Sequence, residues 1–70
     1  MTHDLEITLN GELRRASSAW SIADLVTEIG LDPAKVAVER NREIVPRSTL
    51  GAVRLETGDV LEIVHFVGGG

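Results

Sequence analysis

The sequence predicts an α+β fold, a mixed sheet of four to five strands with one main helix crossing it. Three observations carry that prediction. Leu5, Ile7 and Leu9 alternate with Glu6 and Thr8, the period of a half-buried strand, and lead into Asn10-Gly11. Ile22, Leu25, Val26 and Ile29 then fall at helical spacing on one stripe. The most apolar run of the chain, 60–67, comes last. With 70 residues there is room for a single core, since a chain this short buries only about 60% of its unfolded surface.

Asn-Gly after the first strand is a strong short-range hairpin signal, because a type I′ turn needs positive φ at both central positions. The return strand is expected over about 12–16. Its register stays open. A strict two-residue turn pairs Ile7 with Arg14, whereas a bulged turn brings Leu13 inward. Ser21 can cap the helix that follows, with Asp24 three residues on as an imperfect capping-box partner. Trp20 before the cap and Leu25 at the fourth helical position are placed as a hydrophobic staple. Gly30 is the natural stop, and Asp32-Pro33 prevents continuation. Val36, Ala37 and Val38 open a third strand reaching about Arg40, Asn41-Arg42 forms a turn, and Glu43-Ile44-Val45 is a short strand stopped by Pro46. Residues 47–54 read as an irregular connection with one tight helical turn. Glu56-Thr57-Gly58-Asp59 is a second turn cluster before the final strand.

A hairpin and a late strand sharing one helix-covered face place the last strand in the middle, beside the first and parallel to it. That is the β-grasp, or ubiquitin-like, arrangement. Leu61 and Ile63 then face the helix, and Val60, Glu62, Val64 and Phe66 face outward. With one helix to cover one face, Val64 and Phe66 are expected to be exposed as a docking patch.

Composition narrows the function. The chain has no cysteine, hence no disulfide and no thiolate nucleophile. His3 and His65 lie far apart and are read as solvated rather than as metal ligands. A net charge of −4 disfavours nucleic acid and suits a partner with a basic face. The final apolar run is too short to span a bilayer, and the first residues lack a signal-peptide core, so a cytoplasmic location is expected. No phosphate-binding G-x-x-x-x-G-K-[ST] loop occurs.

The run Val67-Gly68-Gly69-Gly70 directly follows the last strand. Glycines have no side chain to dock and are costly to order. The expected organisation is a domain over 1–67 with a flexible tail over 68–70, thin enough to enter a channel that excludes side chains. A frayed terminus or a glycine-rich expression scar reads the same way from the glycines alone.

Leu9-Asn10-Gly11-Glu12, Ile44-Val45-Pro46-Arg47, Gly58-Asp59, and Glu62-Ile63-Val64 leading to Phe66-Val67-Gly68-Gly69-Gly70 together resemble the ThiS family of thiamine-biosynthesis sulfur carriers. The resemblance covers essentially the whole chain. One departure is Asn41-Arg42-Glu43, where relatives commonly carry Asn-Gly-Glu. The resemblance implies that the carboxylate of Gly70 is adenylated by an E1-like adenylyltransferase, which uses ATP and Mg²⁺, and is then thiocarboxylated with sulfur from a sulfur-donor protein. The sulfur would pass to thiazole synthase. Gly68 and Gly69 would thread into the activating partner, and Val64, Phe66, Val67 and Arg47 would contact it. Arg47 either holds an acidic group there or is solvated on its loop, and the residues leave both open. On this reading the chain is a co-substrate, not an enzyme. A molybdopterin-type sulfur carrier, a protein modifier conjugated through Gly70, and a plain β-grasp interaction module remain as rivals.

Overall fold

The computed structural model describes residues 4–66. Five strands form one sheet in the order β2-β1-β5-β3-β4. They are β1 (Asp4–Leu9), β2 (Glu12–Ser17), β3 (Val36–Arg40), β4 (Glu43–Val45) and β5 (Val60–His65), with helix α1 (Ile22–Glu28) between β2 and β3. Short 3₁₀ turns occupy Pro33–Lys35 and Arg47–Thr49. As expected, β5 lies mid-sheet and runs parallel to β1, with Thr8 opposite Val60 and Leu9 opposite Leu61. It is antiparallel to β3 on its other side. The final strand ends at His65, but Phe66 N–H still reaches the Lys35 carbonyl at 2.8 Å. The expectations for Val67 and for Gly68, Gly69 and Gly70 lie outside the described residues.

The first hairpin takes the strict register. Ile7 pairs with Arg14 and Leu9 with Glu12, around a turn with φ +49° at Asn10 and +85° at Gly11. Leu13 therefore points to the outer face and is 73% exposed. Arg14 shares the inner face with Ile7 yet stays exposed, because the edge strand β2 is covered on that face only farther from the turn, at Ala16.

Helix α1 begins as its sequence requires, and every early N–H finds an acceptor. Ser21 Oγ accepts from Asp24 N–H at 3.1 Å and Asp24 Oδ2 accepts from Ser21 N–H at 2.9 Å, a complete capping box. Ile22 and Ala23 donate to the Val53 and Leu50 carbonyls, each at 2.9 Å. At the other end Gly30 has φ +88°. Gly30 N–H bonds Thr27 O and Leu31 N–H bonds Val26 O, each at 3.0 Å, the paired bonds of a Schellman motif.

The core joins Ile22, Leu25 and Val26 of the helix to Ile7, Leu9, Val36, Val38, Leu61 and Ile63 of the sheet. Trp20 and Ile29 pack against its margin. Leu50, from the stretch expected to be an irregular connection, and Leu55, just after it, are also buried. That stretch closes the end of the core and supplies the acceptors for the helix N-terminus.

Candidate functional site

The candidate site is built on β5, the strand held from both sides. Its inward residues Leu61 and Ile63 are buried, while Val60, Glu62 and Val64 face outward. Burying a leucine is worth about 1.5–3 kcal/mol, so the inner pair fixes the strand's rotation and hence which residues it presents outside. Two asparagines reinforce it. Asn10 Oδ1 accepts from Ile63 N–H at 2.8 Å and Asn10 Nδ2 donates to the Ile63 carbonyl at 3.2 Å. That side-chain amide extends the β1–β5 ladder one step beyond the point where β1 turns away. Asn41 acts similarly at the strand's start, its Oδ1 accepting from Val60 N–H at 2.9 Å. Asp59, 3% exposed, anchors the approach to β5. Its carboxylate accepts from Glu56 N–H at 2.9 Å and from Asn41 Nδ2 at 3.3 Å, with Arg40 Nε 3.9 Å away. Sequence reasoning treated these residues only as turn formers.

The outer face collects all five large hydrophobics that the described residues leave exposed: Leu13, Ile44, Val60, Val64 and Phe66. The register places Val64 beside Ala37, and Ile44 beside Glu39. Phe66 follows at the end of the same row, 46% exposed. Arg47 lies over its ring, with the guanidinium carbon 5.9 Å from the centroid, within reach of a cation–π attraction. The structure thus brings three sequence-singled residues, Val64, Phe66 and Arg47, to one end of one face. Four carboxylates share that face, Asp4, Glu6, Glu39 and Glu62, with three arginines: Arg15, which pairs with Asp4 at 3.3 Å, Arg47 over Phe66, and Arg42, which lines a depression with Glu39 and Glu62. Among the described residues no group of three His, Cys, Asp or Glu is placed to hold a metal ion. No helix among them is long and apolar enough to cross a membrane. His65 is exposed.

A mixed five-stranded sheet with a central parallel strand and one helix across its inner face defines a ubiquitin-like β-grasp domain. Residues 7–70 match the model of the ThiS family, and the chain belongs to that family. The sulfur carrier protein ThiS of Bacillus subtilis is 42% identical over 65 residues, covering 91% of this chain and 98% of that protein. A thiazole synthase of Paramagnetospirillum magneticum is 48% identical over 66 residues, or 94% of this chain. The chain spans only 20% of the length of that synthase. The crystal structure of a thiamine biosynthesis protein (ThiS) from Geobacter metallireducens superposes with a TM-score of 0.75 at 28% identity, covering 94% of this chain and all of that one. A protein designed on a ubiquitin template, 16% identical with a TM-score of 0.54, shares the fold alone.

Proposed function

We propose that this chain is a sulfur carrier for thiazole formation in thiamine biosynthesis, activated at the carboxylate of Gly70 by an E1-like adenylyltransferase. The observation that carries the reading is an exposed apolar face, in a chain of the ThiS family, on the strand that leads directly into Gly68-Gly69-Gly70. An α-carboxylate with a pKa of about 3.5 is ionised at neutral pH and a poor electrophile. Attack of its oxygen on the α-phosphorus of ATP, with Mg²⁺ held by the partner, forms an acyl-adenylate and releases pyrophosphate. Hydrosulfide delivered by the sulfur-donor protein then adds to the carbonyl carbon, AMP leaves with the electron pair of the acyl C–O bond, a proton is released, and the thiocarboxylate remains. The carrier supplies the docking face and the acyl group, while the nucleotide chemistry belongs to the partner.

A thiazole synthase is the acceptor in this reading. The relatives from Paramagnetospirillum magneticum and Magnetococcus marinus, both named thiazole synthases, contain a stretch like this chain within a longer polypeptide. Joining a carrier to its consumer raises their effective concentration, which favours thiamine over a molybdopterin-type pathway.

Val64 and Phe66 act here as apolar anchors, and Arg47 steadies Phe66 from above. ATP–pyrophosphate exchange with the adenylyltransferase from the same source tests the reading. Phe66→Arg or Val64→Arg is expected to abolish exchange while the melting curve is retained. One residue added after Gly70 moves the carboxylate by at most about 3.6 Å and is expected to do the same. Intact mass after incubation with ATP, the adenylyltransferase and the sulfur donor, without the synthase, should show a single sulfur-for-oxygen replacement at the terminus. Normal exchange by the extended variant, or amide-linked conjugates in place of the thiocarboxylate, would remove the carrier reading.

A further inference from the structure

Glu39 and Glu62 stand directly opposite each other where β3 pairs with β5, and both are exposed. Like charges in that relation destabilise a sheet, since the Cβ atoms sit only about 4.5–5.5 Å apart. Neither carboxylate makes an ion pair among the described residues, where the pairs are Arg15–Asp4 and Arg40–Asp59. The two glutamates also mark where two shallow depressions meet. One, of about 130 Å³, is lined by Ala37, Val38, Ile44 and Val64 together with both carboxylates. The other, of about 280 Å³, adds Val60 and Arg42 to the same two glutamates.

We propose that the Glu39–Glu62 pair is a specificity element that receives a lysine or arginine side chain presented by the adenylating partner within an apolar patch. This rests on the docking role given above to the outer face. An apolar depression bordered by two glutamates that stand opposite each other matches one kind of side chain, an aliphatic stem with a cationic head. The stem lies along Ile44 and Val64, and the head sits between the carboxylates and relieves their repulsion. A second copy of this chain fits poorly, because facing sheets would bring the Glu39 and Glu62 carboxylates of both copies together. The same charge repels acidic partners and speeds encounter with a basic one.

Association with the adenylyltransferase, measured by fluorescence anisotropy across a salt series, tests the proposal. Glu39→Gln/Glu62→Gln removes both charges with little change of shape. It is expected to weaken binding at low salt by about tenfold or more and to flatten the salt dependence, with an equal or higher Tm. Glu62→Lys pairs internally with Glu39, so it should raise Tm while weakening binding further. Should the double variant lose its cooperative melt, the single Glu62→Gln carries the same comparison. Unchanged affinity and salt dependence in the glutamine variants, alongside abolished binding by Val64→Arg, would overturn the charge-reading role and leave the docking face standing. Unchanged binding by Val64→Arg itself would remove the docking face and this proposal together.

Discussion

Replacing Asn10 with glycine isolates the side-chain clamp on β5 from the turn that carries it. Asn10 has φ +49°, a conformation glycine adopts freely, so the hairpin geometry survives the substitution. What disappears is the pair of hydrogen bonds to Ile63, at 2.8 and 3.2 Å in a partly buried site. Each is worth about 0.5–1.5 kcal/mol net, so their joint loss costs about 1–3 kcal/mol. Relief of the left-handed backbone at Asn10 and the larger unfolded-state freedom of glycine act in opposite directions and largely offset. For a domain of this size the expected fall in Tm is about 4–8 °C per kcal/mol. Urea and thermal melts measure it, and hydrogen exchange at the Ile63 amide locates it. Asn10→Asp sharpens the comparison. Aspartate keeps an acceptor for Ile63 N–H but turns an oxygen toward the Ile63 carbonyl, so at neutral pH it should destabilise at least as much as glycine. An Asn10→Gly protein with unchanged Tm and unchanged Ile63 protection would show that the amide does not hold the strand.

The remaining predictions concern stability. Arg42, in the left-handed region at φ +70°, should be replaceable by glycine with a gain of up to about 1 kcal/mol, read as a higher Tm. The αL cost for an L-residue is about 1–2 kcal/mol and glycine's entropy returns only part of it. Leu61→Ala should cost about 2–5 kcal/mol in urea melts, whereas Val64→Ala on the outer face should stay within about 0.5 kcal/mol. Equal losses at the two positions would contradict the assigned faces. Ser21→Ala breaks the capping box and should lower stability by about 0.5–2 kcal/mol, seen as a parallel shift of the melt.

Much of this fold was legible because its signals are local. The Asn10-Gly11 turn, the Ser21 cap, the Gly30 stop and the alternation through β5 each specify structure over a few residues. The hairpin register was not legible, since it depends on how far α1 covers β2. The seven-residue helix leaves the inner side of the edge strand covered at Ala16 and open at Arg14, so Arg14 can share Ile7's face and remain in solvent. Leu50 and Leu55 escaped notice because a stretch without period gives no face to assign. The reach of Asn10 across 53 residues and of Asn41 across 19 was hidden differently. Both residues are accounted for by their turns, and nothing in a turn signal shows that the side-chain amide is free to complete a distant ladder.

Parity explains why the candidate site was readable while its fine structure was not. With β5 central, the burial of Leu61 and Ile63 obliges Val60, Glu62 and Val64 to the other side, so one assignment settles both faces. The neighbours of those outward residues require the pairing of β3 and β4 with β5, a long-range property. Only that register sets Glu39 against Glu62 and Ala37 against Val64, and only the turn at Arg47–Thr49 carries Arg47 over Phe66. The same strand is therefore the centre of the core and the centre of the exposed apolar face proposed for docking. Inward substitutions on it should appear first as lost stability, and outward ones as lost association with the melt intact. A variant that confounded the two, such as Val64→Arg melting far below the parent, would mean that the outer face contributes to the fold's own stability and is not held open for a partner.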